Sequence, residues 1–272
     1  MSNIIYGVNE GTFDFIESVE EKISSLSKSG ISNIGLWTKD KNLAQLKSIE
    51  DCLNLNNVNV VEINFITKLF DHKYDSPLLV EEIEQCIRLA KSVHATFVTA
   101  ASFCEKLDTD LVKSNIRQLA LRLQEENLDL ALEFLPWTAV SSVDKLWRLI
   151  SDLELDNVSI LLDSFHFFKG ESTYRQLDEI PIDKIRLVHL NDFSNQVPID
   201  NADLSLIEQT RGFRLFPGEG DFPIAELMTY LKKRGFKGYV NLEVLNSRHK
   251  ELGSCHLADH AQHNIQEFLE HL

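Results

Sequence analysis

Eight short apolar runs, separated by longer amphipathic segments, are the feature that most restricts how this 272-residue chain can fold. The runs are Ile4–Val8, Asn33–Trp37, Val58–Phe65, Thr96–Ala100, Leu128–Leu135, Val158–Asp163, Ile185–Leu190 and Tyr239–Val244. Several, such as VSILLD and LALEFL, are continuous rather than alternating, as strands of a parallel sheet covered on both faces require. Between them, Phe13–Lys28 sets Phe13, Ile16, Val19, Ile23 and Leu26 at helical spacing. A second helical stretch opens at Ser76-Pro77 and runs on through Leu79, Ile83, Cys86, Ile87 and Ala90. Others cover Leu111–Glu126, Val143–Leu153, Ile224–Arg234 and His256–Leu269. Strands alternating with helices mean βαβ units and a parallel sheet. Eight of them suggest closure into a (β/α)8 TIM barrel, a fold that typically takes ~250 residues. The expectation is therefore an α/β chain with one (β/α)8 domain over residues 1–272, an open doubly wound sheet being the alternative. One connection is unusually long. After His189 the chain runs from Asn191 to about Asp221 before its next helix, and it carries Arg211 and Arg214. Loops of that length in a compact domain are usually functional or mobile.

Charge and cysteine usage narrow the partners. The net charge of −15 opposes nucleic acid, which needs clustered Lys and Arg, and an anionic membrane surface. No apolar stretch approaches the ~20 residues that span a bilayer, and Met1-Ser2-Asn3 leads straight into a strand-like run with no signal peptide. The cysteines Cys52, Cys86, Cys104 and Cys255 form no C-x-x-C motif, and Cys86 reads as a small buried hydrophobe. The expectation is a cytoplasmic protein. A homodimer is the default assembly for a soluble enzyme.

In a parallel barrel the chemistry lies at the C-terminal ends of the strands. The fifth run ends in LEFLP with Glu133, and the sixth in LLDSFHF with Asp163 and then His166. The seventh ends in VHLND with His189, Asn191 and Asp192, and the eighth in LEVLN with Glu243 and Asn246. Any one of these alone would read as a helix cap or a hydrogen-bonded structural residue. Four successive strand ends of this kind are different, because a buried charge must be paired or bound to a metal. Three carboxylates and an imidazole suit a divalent ion such as Mn²⁺, Mg²⁺, Fe²⁺, Co²⁺ or Zn²⁺.

These segments also carry a resemblance. ALEF (131–134), LLDSFHF (161–167), VHLND (188–192), RLFPGEGDF (214–222) and VNLEV (240–244), with the opening YGVNEGT (6–12), resemble the xylose isomerase-like sugar phosphate isomerase/epimerase superfamily. The nearest pattern is that of inosose isomerases and ketose 3-epimerases. The resemblance implies one divalent metal ion held by Glu133, Asp163, His189 and Glu243, with His166 and Arg214 on substrate oxygens. It implies further that Glu133 and Glu243 act as the acid/base pair. The substrate would be a small sugar or polyol, such as a keto sugar or an inosose. Proton transfer beside its carbonyl would pass through a metal-stabilised enediolate. No P-loop-type phosphate cradle is present, so an unphosphorylated substrate is expected. In Pro217-Gly218-Glu219-Gly220 the glycines would permit a tight turn with positive φ.

The rival reading is a dehydratase of the 3-dehydroshikimate or inosose type on the same scaffold. An abasic-site endonuclease would need more strand-end histidines, which strands two to four lack. A non-catalytic binding protein is opposed by the intact set of six polar residues. Trp37, Phe65, Phe103 and Trp137 are candidates for an apolar wall, and Phe165 for packing. Asn9 and Glu10 either reach the mouth or cap the first helix. The histidine cluster near the end, His249, His256, His260, His263 and His271, with an i, i+4 pair at His256 and His260, is read as a solvated helix face.

Overall fold

A computed structural model describes residues 4–39, 41, 44–195 and 204–269 of the chain. Its strands are β1 (Ile5–Asn9), β2 (Asn33–Trp37), β3 (Asn59–Ile66), β4 (Phe97–Ala101), β5 (Asp129–Glu133), β6 (Val158–Asp163), β7 (Ile185–Leu190) and β8 (Tyr239–Leu242). Each pairs in parallel with its sequence neighbours, and β1 closes on β8 through Ile5↔Tyr239 to Val8↔Leu242. The barrel is closed, which removes the open-sheet alternative. Each expected run holds one strand; β2, β6 and β7 coincide with their runs, and the other ends are displaced by one or a few residues. β5 stops at Glu133 and β8 at Leu242, so Phe134-Leu135 and Glu243-Val244 lie past the ladder.

The helices are α1 (Val19–Lys28), α2 (Leu46–Asn56), α3 (Pro77–Ser92), α4 (Thr109–Gln124), α5 (Val143–Ile150), α6 (Ser164–Lys169), α7 (Tyr174–Asp178), α8 (Leu206–Gly212), α9 (Ile224–Lys233) and α10 (Ser254–Asn264). Local chemistry starts several of them. Ser18, Ser76 and Asp108 each accept a hydrogen bond from the backbone N–H three residues on, and Pro77 occupies the first turn of α3. Phe13 falls in a separate 3-10 turn, Glu10–Phe13, so α1 is shorter than its periodicity implied. The expected helix-free connection from Asn191 to Asp221 is corrected. It contains α8, begun by a capping box in which Ser205 and Glu208 satisfy each other's backbone N–H. Residues 196–203 of that connection lie outside the described residues.

Most apolar side chains fill the layer between sheet and helices. A smaller cluster of Val61, Phe97, Ala131, Leu161 and Leu187, with Tyr239 against it, forms the floor inside the barrel. Strand side chains alternate with period two. Two residues beyond the floor, β5 to β8 therefore deliver Glu133, Asp163, His189 and Asn241 to the next interior level. β3 breaks the alternation. Its pairing with β2 shifts between Ile34↔Val60 and Gly35↔Glu62, leaving Val61 as the extra residue of a bulge. Val61 stays on the floor, and Glu62 beside it also turns inward.

Candidate active site

The four side chains read as ligands meet at the C-terminal mouth in two overlapping groups. Atoms of Glu133, Asp163 and His166, and of Asp163, His189 and Glu243, lie within 4.8 Å of one another. His189 Nδ1 is 3.3 Å from Glu243 Oε2 and 4.0 Å from Glu133 Oε1. Asp163 is fully buried. Its Oδ1 accepts from the backbone N–H of His166 at 3.0 Å, and its Oδ2 from Asn191 Nδ2 at 3.2 Å. Arg214 enters this cluster rather than standing at its rim. Its Nη1 donates to Asp163 Oδ2 at 2.8 Å and Glu243 Oε2 at 2.7 Å, while Nε and Nη2 are held by Thr210 Oγ1. The guanidinium also lies 5.6 Å over the ring of the buried Phe165. In this arrangement the arginine neutralises two of the carboxylates.

Beneath the cluster sits a residue that the sequence reading did not single out. Glu62 is fully buried, and each group that meets it presents a donor. Asn9 Nδ2 lies at 2.9 Å, Asn241 Nδ2 at 2.8 Å, and His189 Nε2 at 2.9 Å from both oxygens. Asn9 is fixed in turn, because its Oδ1 accepts from Gly11 N at 2.8 Å and Trp37 Nε1 at 2.9 Å. Both are donor-only groups, so the Asn9 amide NH₂ must face Glu62 and the Asn64 Oδ1, 3.2 Å away. Glu62 sits mid-run in Val58–Phe65, and the only signal for it was an acidic residue in an apolar stretch. Asn9 is thus both the cap of the Glu10–Phe13 turn and a wall of this network. Glu10 instead forms a buried ion triad with Lys22 and Lys41, behind Trp37.

Burial and charge divide the two candidate acid/base groups. Burial pushes the Glu133 carboxyl well above its ordinary range, and Asp163 and Glu243 add to that against His189. Burial also opposes ionisation of Glu243, but His189 and Arg214 outweigh it and hold this carboxyl at about 2. Burial dominates at His166 and brings the imidazole down to about 4, leaving it neutral near pH 7. At His189 burial is overcome by Glu62 and Glu243, which raise its pKa well above the usual value.

The donor set fits a divalent cation. Three carboxylates converge with an imidazole, and the Nδ1 atoms of both His189 and His166 are buried without a hydrogen-bond partner. Buried polar atoms left in that state call for a ligand or an ion. His166 Nε2 is 3.6 Å from Glu133 Oε1, and its ring is met edge-on by Trp137 at 5.2 Å. Above the cluster opens a cavity of about 580 Å³, within the range of small-molecule sites. Glu133, His166, Arg214 and Glu243 line it, together with the expected aromatics Trp37, Phe65, Phe103 and Trp137. Phe65 and Phe103 stack at 5.7 Å. Phe165 is fully buried packing, as read. Cys86 is buried but also borders the cavity.

Two strand-end residues prove to be structural. Asp192 accepts from the backbone N–H groups of Phe193, Gly218, Gly220 and Phe222 at 2.7–3.0 Å, and so folds the Pro217–Gly220 turn back onto β7. Gly218 has φ +90°, as expected. Gly220 is small for a different reason, since a Cβ there would come within 2.7 Å of the Phe193 backbone. Asn246 caps the 3-10 turn Ser247–Glu251. His256 and His263 are exposed, as read, and His271 lies outside the described residues, but His249 is buried with its ring stacked on Phe216 at 5.7 Å, and His260 is half-buried and bonded to Glu219 at 2.7 Å, partners the sequence did not imply.

The closed barrel and its strand-end cluster define a class, and comparison with known proteins gives the family. Residues 32–272 match the model of the xylose isomerase-like TIM barrel family, to which the chain belongs. Among curated relatives, a 3-dehydroshikimate dehydratase of Pseudomonas aeruginosa is 31% identical over 137 residues, 50% of this chain. The match covers only 21% of that longer protein. An inosose isomerase of Halalkalibacterium halodurans is 22% identical over 230 residues, 80% of this chain and 77% of the relative. The solved structure of the IolI protein with a bound zinc atom superposes with a TM-score of 0.84 at 20% identity, over 100% of this chain and 99% of that one. Among the described residues no helix is long and apolar enough to cross a membrane.

Proposed function

We propose that the chain is a divalent-metal-dependent isomerase or epimerase of a keto sugar or inosose-type polyol. The carrying observation is the convergence of Glu133, Asp163, His189 and Glu243 at the barrel mouth, beneath a cavity of sugar-accommodating size. Asp163, His189, Glu133 and Glu243 would hold the ion, which when bound supplies Lewis-acid stabilisation of the charge that develops on the substrate's oxygens. The remaining work falls to side chains. Proton transfer beside a carbonyl needs a base and an acid, and Glu133 and Glu243 both line the cavity. Glu243, paired with Arg214, takes the proton from carbon, and Glu133 returns one. His166, neutral, exchanges hydrogen bonds with a substrate hydroxyl. Arg214 is held by Thr210 and stacked on Phe165, so it presents a fixed cation to the substrate's oxygens. The aromatic wall excludes water and faces the C–H surface of the ring.

Glu243→Gln tests this assignment. It keeps the shape of the side chain and removes both the base and a ligand oxygen. Folded protein with turnover lost and bound metal reduced is the expected result; full activity on the true substrate refutes the assignment. The 31%-identical dehydratase stretch favours a second reading on the same residues, in which proton loss is followed by expulsion of a hydroxyl. Appearance of a conjugated ultraviolet chromophore on turnover identifies that outcome, and its absence with a new sugar isomer identifies the first.

A further inference from the structure

The position of Glu62 is hard to explain as packing. A carboxylate with no exposure, one level above an apolar floor, could be replaced by a well-packed hydrophobe without loss of stability and often with a gain. Instead the fold makes room for it. The bulge at Val61 turns it inward. Gly35 stands opposite, where a Cβ would lie 2.8 Å from Glu62 Cγ and 3.0 Å from Asn9 Nδ2. The Asn9 amide is polarised toward it by the donor-only Trp37 Nε1 and Gly11 N–H, and Asn241 adds a second amide donor. An acceptor is demanded at this point by three separate strands. The third donor is the one with consequences. Glu62 takes Nε2 of His189 with both oxygens at 2.9 Å, and the ring's other nitrogen, Nδ1, is then the atom directed to Asp163 and Glu243.

We infer that Glu62 is the positioning residue of the metal centre. By holding the Nε2–H of His189 it fixes the ring plane and the tautomer, and so dedicates the Nδ1 lone pair to the ion. A histidine ligand whose second nitrogen is tied to a carboxylate is both oriented and made more basic, and loss of such a partner typically weakens metal binding roughly 10–100-fold. Glu62 touches neither substrate nor ion; it acts through His189 alone. The inference rests on the metal-dependent reading given above.

The test uses Zn²⁺ and Co²⁺ as probes on the full-length protein. In Glu62→Gln the amide can turn its NH₂ toward Nε2 and permit the wrong tautomer. Zinc affinity, measured by competition with a chromophoric chelator, falls roughly 10–100-fold, and the visible band of the cobalt form shifts. The metal-free variant is expected to melt lower, because Asn9, Asn241 and His189 lose a charged acceptor, so the zinc affinity and the cobalt spectrum of folded protein, not its stability, carry the test. Glu62→Asp, which keeps the charge, recovers part of the affinity. The parent protein supplies a measurement that does not depend on any variant folding. In its zinc form, ¹⁵N-labelled His189 should show a protonated Nε2 and a metal-bound Nδ1. The inference is overturned if Nε2 carries the metal, or if Glu62→Gln binds zinc as the parent does with an unchanged cobalt spectrum. A parent that binds neither ion overturns the metal reading itself, and this inference with it.

Discussion

Gly35→Ala is the perturbation with the best-defined magnitude. The backbone at Gly35 is ordinary, so the change tests space alone. The new methyl would sit 2.8 Å from Glu62 Cγ and 3.0 Å from Asn9 Nδ2, and closer still to Glu62 Oε1. Comfortable carbon contacts lie near 3.5–4.0 Å, so a movement of roughly 1 Å is required. β2 cannot retreat, since it is paired on both sides, to β1 and β3. Glu62 cannot retreat without giving up Asn9, Asn241 or His189. Overpacking of this kind costs about 1–3 kcal/mol, and each hydrogen bond to a charged acceptor about 1.5–3 kcal/mol. A net loss of about 2.5–6 kcal/mol follows if one bond is sacrificed as well. For a chain of this size that lowers the melting temperature by roughly 5–25 °C. Calorimetry of the metal-free protein measures it. Gly212→Ala is the control: no atom lies within 4 Å of its Cβ position, and it ends α8. That change should leave stability level or raise it by about 0.4–1 kcal/mol. If Gly35→Ala melts with the parent, the claim that the glycine reserves room for a pinned carboxylate is wrong.

Two further outcomes can be checked without knowing the substrate. Glu10→Gln should destabilise the fold by about 3–5 kcal/mol near neutral pH, because it removes the buried carboxylate from its ion pairs with Lys22 and Lys41. Burial opposes ionisation of Glu10, but the two lysines outweigh it and lower its pKa. Its contribution is therefore complete above the unfolded carboxyl value of about 4.3 and lost as pH falls through the lower folded value. Denaturant titrations of parent and variant should differ by a constant amount above about pH 5 and converge in acid; a gap that persists there contradicts the assignment. Asp192→Asn keeps one acceptor oxygen of two, so it should speed hydrogen exchange either at the amides of Gly218 and Gly220, which share Oδ2, or at that of Phe222, which meets Oδ1. Unchanged exchange would mean that the turn holds itself.

The fold was legible because eight parallel strands covered on both faces leave eight apolar runs. The ligand candidates were legible because period-two alternation carries each interior strand end from an apolar floor residue to a polar one, as from Leu161 to Asp163 and from Leu187 to His189. The same alternation hid Glu62. A bulge resets the phase, and nothing local in NVVEINFI announces it. α2 escaped notice because its buried apolar positions are only Ile49 and Leu53. α8 was hidden by its polar composition, and its signal was the Ser205–Glu208 capping box rather than periodicity. The place of Arg214 inside the carboxylate cluster depends on contacts from Thr210 and Phe165, which sequence spacing does not disclose.

Arg214 sits between two isolated antiparallel bridges, Asp192↔Leu215 on one side and Phe213↔Asn246 on the other. The exits of β7 and β8 thus grip the arginine from both flanks. For an evolving lineage this welds the cation to the barrel's own frame: to re-aim it, a change must break a strand exit, so selection that keeps the arginine also keeps the two bridges beside it.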